Sequence, residues 1–261
     1  MEISHPLLSS MTRIPRTHPR YHSLMTREAL VNGVKGGLTA FEGLMAHGRG
    51  EAFDYILGER TQPFAQWAMK AAVAALLLAE RPVLSINGNV VALCPRDMVR
   101  MAKATGASLE ANIFYRTEAR VRRIVGALRK AGAREVLGKR PDASIKGLRG
   151  PRAKCAKEGI FKADVVLVPL EDGDRTQALV ANGKFVITID LNPMSRTAKA
   201  AQITIVDNIV RAAPEMVKLA TEMRGWPRNK LSSIMNAYDN ERVLSEALWH
   251  MAKRLKALSK R

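Results

Sequence analysis

Short apolar runs alternate with longer helix-like stretches from Pro82 onward, and this alternation dominates the second half of the chain. The run 165–168 does not alternate between apolar and polar positions, which is typical of a strand covered on both faces. We therefore predict an α/β fold in which a mostly parallel sheet is flanked by helices. The predicted strands are 83–87, 108–114, 135–137, 164–169, 185–190 and 203–206.

Helical patterns lie on both sides of the predicted sheet. One helix is expected from Tyr21 toward Lys35, where glycines end it, and a long apolar helix over 63–80 has Pro63 in its first turn. From Ile209 the chain is expected to be wholly helical around a break at 225–227. Residues 1–20 are rich in Pro and His and are expected to be irregular.

The chain is basic, with a formal net charge of +18 over 261 residues. Most of the excess lies in 116–162 and 253–261, and neither stretch interleaves aromatic residues as single-stranded nucleic-acid platforms do. Within the first stretch, the connector 138–161 has no clear period, and loops of that length are usually functional or mobile. The charge favours solvated faces and attraction of polyanionic small substrates over nucleic acid as a partner.

The hydrophobic content, the cysteine spacing and the length of the apolar runs exclude several classes of protein. A hydrophobic content of 47% is enough for a sizeable core. Cys94 and Cys155 have no partner at ligand spacing, so neither a disulfide framework nor a zinc site is predicted. No apolar run reaches the length of a membrane span, and the N-terminal charges are not followed by an apolar leader. We expect a cytoplasmic protein.

The segment 46–55 is unusually rich in ionisable residues and glycines. Its glycines permit backbone angles that side chains forbid and let a ligand approach the main chain, so we predict a site for a charged small molecule. The glycine spacing of 43–50 is that of a P-loop, but an arginine replaces the lysine and a glycine replaces the Ser or Thr, so we reject that motif. The charged and glycine residues are His47, Gly48, Arg49, Gly50, Glu51 and Asp54.

Polar residues follow five of the predicted strands. Any one of these segments can be a local turn or helix cap. Because the carboxyl ends of parallel strands meet at one edge of a sheet, where ligands bind, their convergence predicts a site. The segments are Asn87-Gly88-Asn89, Tyr115-Arg116, 171–175, 190–193 and Asp207-Asn208.

The motifs over 14–219 resemble the archaeal phosphopantothenate synthetases, also called 4-phosphopantoate–β-alanine ligases. The motifs that carry the resemblance are 14–21, 46–55, 58–61, 87–89, 114–117, 169–176, 187–195 and 206–211. The resemblance implies a Rossmann-like core, a homodimer, and condensation of 4-phosphopantoate with β-alanine in coenzyme A biosynthesis. It implies ATP and Mg²⁺ as the cofactors, an acyl-adenylate intermediate, and release of AMP and diphosphate.

The same resemblance sets the expected domain organisation. Residues 1–13 form an N-terminal extension, and 14–261 form a single α/β ligase domain. Within that domain, 82–210 is the sheet-containing core and 211–261 is a helical segment. The connector 138–161 and the C-terminal helices match the family least.

Site residues are carried over from the family position by position. Nucleotide contacts are expected at Arg27, Arg49, Asp190, Leu191, Asn192, Arg196, Thr197, Asn208 and Ile209. Arg116 or Arg175 is expected to bind the phosphate of phosphopantoate. Residues expected around the substrate carboxylate, the magnesium ion and the β-alanine ammonium are Asn87, Asn89, Glu171, Asp172 and Asp174.

The base that removes the proton from the β-alanine ammonium stays open at this point. His47, Asp54 and a carboxylate at a strand end are the candidates, and Asp172 and Asp174 are such carboxylates. Glu51 and Asp54 are alternatively magnesium ligands or partners that hold Arg49 in place.

Two other functions stay open. One is a basic RNA- or ribosome-associated protein, for which we expect salt-sensitive RNA binding and indifference to ATP. The other is an ATP-dependent enzyme of different chemistry, such as a kinase, which would release ADP instead of AMP.

Overall fold

The computed structural model describes residues 14–260, so the extension expected over 1–13 lies outside the described residues. The helices are α1 (Tyr21–Lys35), α2 (Phe41–Leu57), α3 (Pro63–Leu78), α4 (Gly88–Leu93), α5 (Pro95–Thr105), α6 (Glu118–Lys130), α7 (Gly173–Ala181), α8 (Arg196–Ala200), α9 (Ile209–Met223), α10 (Arg228–Asn236) and α11 (Asn240–Leu258). The strands are β1 (Val83–Ile86), β2 (Ser108–Ala111), β3 (Ala143–Ser144), β4 (Lys154–Cys155), β5 (Val165–Leu167), β6 (Phe185–Ile189) and β7 (Ile203–Ile205).

Five parallel strands form the main sheet in the order β2-β1-β5-β6-β7. The predicted α/β class, a mostly parallel sheet flanked by helices, is confirmed. The order is doubly wound, and its topological switch point lies between β1 and β5. The strand predicted over 135–137 is wrong, because only Leu137 bridges to Glu110 at the sheet edge. β2 ends three residues earlier than predicted, where Asn112 donates its amide to two backbone carbonyl oxygens of the connector.

The core lies on both faces of the sheet. The apolar helix α3 has ten buried residues and packs between the sheet and the C-terminal helices α9 and α10. The predicted helical C-terminal segment is confirmed, with its break between Met223 and Arg228. Among the described residues, none of the helices is both long and apolar enough to cross a membrane.

The segment 46–55 lies inside the regular helix α2. Neither Gly48 nor Gly50 has a positive φ, so the conformational freedom of these glycines is not used here. Glycine permits such angles without requiring them. The left-handed residue is Gly58, with φ 94°, which ends α2.

The connector 138–161 is a small structured unit. β3 and β4 pair antiparallel within it, followed by a turn over Lys157–Phe161 that is kinked at Gly159. The buried Glu110 of β2 accepts hydrogen bonds from the backbone N–H groups of Ala156 and Ile160, at 2.9 and 2.8 Å. The connector is therefore fastened to the edge strand of the sheet.

Candidate active site

A cleft with two adjoining lobes opens at the carboxyl edge of the sheet. The larger lobe, about 400 Å³, lies over the ends of β6 and β7. The smaller lobe, about 250 Å³, lies over the ends of β1 and β2. Their boundary, which we call the junction, is at the switch point where doubly wound folds bind ligands. The residues that line both lobes are Ala46, Arg49, Asn89, Leu170, Glu171 and Asp172.

A further cavity of about 540 Å³ lies at the other end of β2, beside α5 and residues 133–137. It begins at Ser108, at the amino end of the strand, and none of the predicted site residues lines it. Because ligands of parallel sheets bind at carboxyl ends, the two-lobed cleft is the candidate site.

Helix α2 forms one wall of both lobes. Arg49 faces the junction, is exposed, and has no side-chain hydrogen-bond partner among residues 14–260, which leaves its guanidinium free for an anion. Gly50 lies against Leu191, and a Cβ there would be 3.6 Å from that side chain, an ordinary contact. Because no side chain projects from Gly50, this part of the larger lobe is open to a ligand.

The larger lobe is suited to an anionic ligand. The N-termini of α7 and α9 meet here at Gly173 and Ile209, and helix N-termini bring unpaired N–H groups and a positive dipole end. Arg196, in the first turn of α8, adds a cation beside them. Thr197 lines the lobe too, and its hydroxyl donates to the Glu171 carbonyl oxygen at 2.8 Å.

Asp190 builds the turn after β6. One carboxylate oxygen accepts the Asn192 N–H at 2.9 Å, and the other accepts the Ser195 hydroxyl at 2.5 Å. Burial raises the pKa of Asp190, and these two hydrogen bonds oppose the rise. The turn places Leu191 and Asn192 along the lobe. All the nucleotide positions carried over from the family thus line this lobe, with the exception of Arg27.

His47 lies in the wall of the larger lobe. Burial lowers the pKa of its imidazole, while the nearby Glu51 raises it. The net shift is downward, so the neutral ring predominates at neutral pH. A neutral imidazole is able to accept a proton or a hydrogen bond from a ligand in the lobe.

Asp54 does not reach the cleft, contrary to its expected catalytic role. Its carboxylate is 8% exposed and pairs with Arg211 of α9, with the shorter contact at 2.6 Å. It also accepts a hydrogen bond at 2.8 Å from the side-chain amide of Asn208, which lines the larger lobe and caps α9. Asp54 therefore orients a lobe residue from behind. Sequence reasoning missed Arg211, which lies four residues after Asp207 and pairs with it.

Arg27 and Glu51 also lie away from the cleft. They pair between α1 and α2, at 2.8 Å, and the Tyr55 hydroxyl donates to the same carboxylate at 2.9 Å. Neither residue lines a lobe. Within one chain, therefore, the expected nucleotide contact of Arg27 and the catalytic role of Glu51 are not brought to the site.

The smaller lobe is lined by both arginines and carboxylates, and the arginines expected there are not among them. Arg116 donates to the Gly138 carbonyl oxygen and Arg175 is 0% exposed, so neither lines the lobe. Arg120 and Arg152 line it instead. Arg120 donates to the carbonyl oxygens of Tyr115 and Leu38, at 2.6 and 2.9 Å. The segment after β2 lines the lobe with residues 112–115, and Arg120 comes from the first turn of α6.

Three carboxylates and two arginines form a cluster at the junction. Arg175 pairs with Glu171 from the buried side, and Arg152 is 2.5 Å from Asp172 and 2.8 Å from Asp174. Burial raises the pKa of Asp172, the neighbouring Glu171 raises it further, and Arg152 opposes both. Asp172 is 60% exposed and lines both lobes, whereas Asp174 lines neither.

Asn87 and Asn89 fasten the rim of the cleft. Asn87 caps α4 and donates to the carbonyl oxygens of Pro169 and Leu170, both at 3.0 Å, which joins the ends of β1 and β5. Asn89 donates to the Gly43 carbonyl oxygen at 2.9 Å and so holds α4 against α2. Leu170 has a φ of 52°, a left-handed conformation that costs energy in a branched residue and clusters at functional sites.

Residues 14–260 contain no group of three or more His, Cys, Asp or Glu side chains that could hold a metal ion. A cage built wholly by the protein is therefore absent from the described part. A Mg²⁺ ion that arrives with phosphate groups needs no such cage, because it keeps phosphate and water oxygens as ligands.

Comparison with known proteins agrees with the cleft. A sequence model described as phosphopantothenate/pantothenate synthetase matches residues 64–254. A protein of Thermococcus kodakarensis is 57% identical over 250 residues, which cover 95% of this chain and 96% of that protein. Proteins of Thermococcus onnurineus and Methanosarcina mazei are 56% and 54% identical, over 95% of this chain and 96% and 98% of their own length. All three are named 4-phosphopantoate–beta-alanine ligase. This chain belongs to the phosphopantothenate/pantothenate synthetase family.

Proposed function

We propose that this protein condenses 4-phosphopantoate with β-alanine at the expense of ATP, giving 4′-phosphopantothenate, AMP and diphosphate for coenzyme A biosynthesis. The observation that carries the proposal is the junction, where a lobe suited to a nucleotide meets a second lobe that contains Arg120, with two carboxylates between them. The name shared by the relatives supplies the identity of the substrates.

ATP occupies the larger lobe in this proposal. Its phosphates lie over the N-termini of α7 and α9 with Arg49 and Arg196 beside them, and the turn at 190–192 receives the ribose or the adenine edge. Mg²⁺ supplies further neutralisation of phosphate charge when it is bound, and we place it on the nucleotide oxygens.

4-Phosphopantoate occupies the smaller lobe. Arg120 is our candidate for the 4-phosphate, since it lines the lobe away from the junction. The substrate carboxylate then points toward Arg49, the arginine that lines both lobes. This arrangement brings a carboxylate oxygen to the α-phosphate of ATP.

The reaction follows in two steps. The carboxylate oxygen attacks the α-phosphorus, the bond to the bridging oxygen breaks, and diphosphate leaves, while Arg49 stabilises the charge on the phosphorus oxygens. The ammonium of β-alanine gives one proton to Asp172, and its nitrogen attacks the acyl carbon. AMP departs with the electrons of the broken carbon–oxygen bond, and the second proton of the nitrogen leaves with the phosphate of AMP as the amide forms. Glu171 and Asp172 are assigned to the ammonium because they face both lobes.

The test is to incubate the protein with ATP, Mg²⁺, β-alanine and either pantoate or 4-phosphopantoate, and to identify the nucleotide product. We expect AMP formation that depends on both β-alanine and 4-phosphopantoate. ADP as the product would contradict the adenylate mechanism. Salt-sensitive RNA binding with no ATP turnover would favour the RNA-associated alternative.

We also propose a homodimer that uses the outer face of α2. Phe41 and Met45 are each 73% exposed there, and Gly48 faces open space. An apolar face beside a small residue suits helix packing, and a second copy would cover it. Light scattering is expected to give twice the chain mass for the native protein and the chain mass for Met45→Glu, with Leu255→Glu on α11 as the control. We also propose a cytoplasmic location, which the metabolite substrates support.

A further inference from the structure

Arg152 comes to the junction from the connector, a segment for which the sequence suggested no specific role. Its side chain is 9% exposed, and its guanidinium touches each carboxylate of the cluster. One terminal nitrogen is 2.5 Å from Asp172 and 3.6 Å from Glu171, and the other is 2.8 Å from Asp174. The ring of Phe114 lies 4.3 Å from the centre of the guanidinium. The group is therefore held on several sides.

The backbone at Arg152 is fastened to the main sheet. Asn112, just after β2, donates its amide to the carbonyl oxygens of Arg152 and Lys154, at 3.3 and 3.0 Å. Glu110, two residues earlier, accepts the backbone N–H groups at the far end of the connector. Two buried polar residues of one edge strand thus fix the origin of this side chain.

The carboxylates need a fixed cation. Asp172 has like charges on both sides, from Glu171 and Asp174, and the cations that face it are Arg152 and Arg49. Glu171 has its own buried partner, Arg175 of α7. Without Arg152, repulsion would turn Asp172 and Asp174 away from Glu171, because carboxylates without a shared donor separate.

We propose that Arg152 is a positioning residue for the amine-transfer step: it holds Asp172 at the junction so that this carboxylate meets the ammonium of the amine substrate. The inference rests on the function proposed above. Asp174, which lines neither lobe, is the second anchor that orients the guanidinium. Arg152 itself does not contact the nucleotide in this account.

The test separates the two half-reactions. Exchange of labelled diphosphate into ATP, dependent on 4-phosphopantoate, reports the first, and AMP release with β-alanine reports the whole reaction. We expect Arg152→Gln to lower β-alanine-dependent AMP release about 100-fold, since misplaced groups near a reaction centre cost on that order, while exchange stays within about threefold. Arg152→Lys keeps the charge and is expected to recover about a tenth of the native rate. Arg149→Gln, an exposed neighbour in the same connector, is the matched control.

Two outcomes would overturn the inference. Equal losses of exchange and AMP release in Arg152→Gln would mean a general structural or nucleotide role, and no loss in either would mean no role. A double-mutant cycle with Asp174→Asn adds a second readout. The account requires that Asp174→Asn reduce amine transfer alone but add little in the Arg152→Gln background, and full additivity would contradict it.

A native enzyme without diphosphate exchange and without AMP release would refute the proposed function, and the amine role with it. Amide resonances of residues 171–174 then report on the contact independently of activity. Arg152→Gln is expected to shift them and Arg149→Gln to leave them in place. An active enzyme whose resonances do not move in Arg152→Gln would refute the positioning role alone.

Discussion

Two carboxylate clusters among residues 14–260 each share an arginine, and one of the two opens into the cleft. In the closed cluster, Asp54 and Asp207 share Arg211, and their side chains are 8% and 1% exposed. The remaining carboxylate oxygen of Asp207 accepts the Thr61 hydroxyl at 2.6 Å. The open cluster is Glu171, Asp172 and Asp174 around Arg152, with Asp172 60% exposed.

The difference teaches how to tell a supporting carboxylate from a reactive one. Burial raises the pKa of Asp172 and also that of Asp207, so the direction of the shift does not distinguish them. Their accessibility to a ligand distinguishes them. The carboxylate oxygens of the closed cluster bind protein groups and so join α2 to α9, whereas Asp172 faces both lobes and can bind a ligand.

The largest effect is expected for Arg49→Ala, which removes the cation that faces the open cluster from α2. Turnover to AMP should fall about 100- to 1,000-fold, the usual cost of removing one group that stabilises transition-state charge. The melting temperature should not change, because Arg49 is exposed and has no side-chain partner among residues 14–260. Arg129→Ala, in an exposed position of α6, is the control. Near-native turnover would remove Arg49 from the site.

Asp54→Asn probes the closed cluster and should act on stability. Removal of one charge leaves Arg211 with a single carboxylate partner, and we expect a loss of about 2 kcal/mol in the free energy of unfolding, less than for a fully buried pair since Arg211 is 24% exposed. Urea unfolding measures it. A stability within experimental error of the native value would show that the cluster does not hold α2 against α9.

The pH dependence of AMP release sharpens the assignment of the proton acceptor. Asp172 works ionised, so the rate should fall as the pH drops through its pKa, which burial and Glu171 raise above the ordinary value. His47 has a pKa lowered by burial and is neutral at pH 7. We expect His47→Asn to cost less than about tenfold and to keep the acid limb, since general-base groups contribute more than that. If the fall in rate at low pH disappeared in His47→Asn, His47 and not Asp172 would be the proton acceptor.

The smallest effect is expected for Glu51→Gln between α1 and α2. This carboxylate is 12% exposed, but its partner Arg27 is 42% exposed, and a pair that is open to solvent on one side contributes about 1 kcal/mol. Denaturant unfolding at low and high salt measures the change, which salt should reduce. Turnover per site should stay native in the assembled protein. A large loss of turnover would contradict this expectation and assign the Arg27–Glu51 pair a role in catalysis.

The sheet was predictable because its buried strands are continuous apolar runs that follow helical segments. The strand ends at Asn87, Glu171, Asp190 and Asn208 were predictable for the same reason, since parallel strands place their carboxyl ends at one edge. The segment 135–137 lies beside β2, but only Leu137 pairs with it, which is too short a ladder for a strand.

The residues that each site side chain contacts were not predictable from the sequence. Asp54 lies one helical turn after Gly50, past the part of α2 that lines the cleft, and pairs there with Arg211, a partner 157 residues away. Arg152 has no local signal except its long connector, and its partners are 20 and 22 residues away. Arg175 of α7 follows Glu171 by four residues. This spacing lets its buried guanidinium pair with the Glu171 carboxylate, and it does not face a substrate.

The most direct test of the account measures AMP turnover and the free energy of unfolding for Asp172→Asn beside Asp54→Asn. We predict that Asp172→Asn lowers turnover about 100-fold and changes stability by less than about 1 kcal/mol, because an exposed general base contributes to rate and little to folding. Asp54→Asn should lose about 2 kcal/mol of stability and less than about tenfold in turnover. The reverse pattern, with turnover lost in Asp54→Asn and retained in Asp172→Asn, would contradict the account.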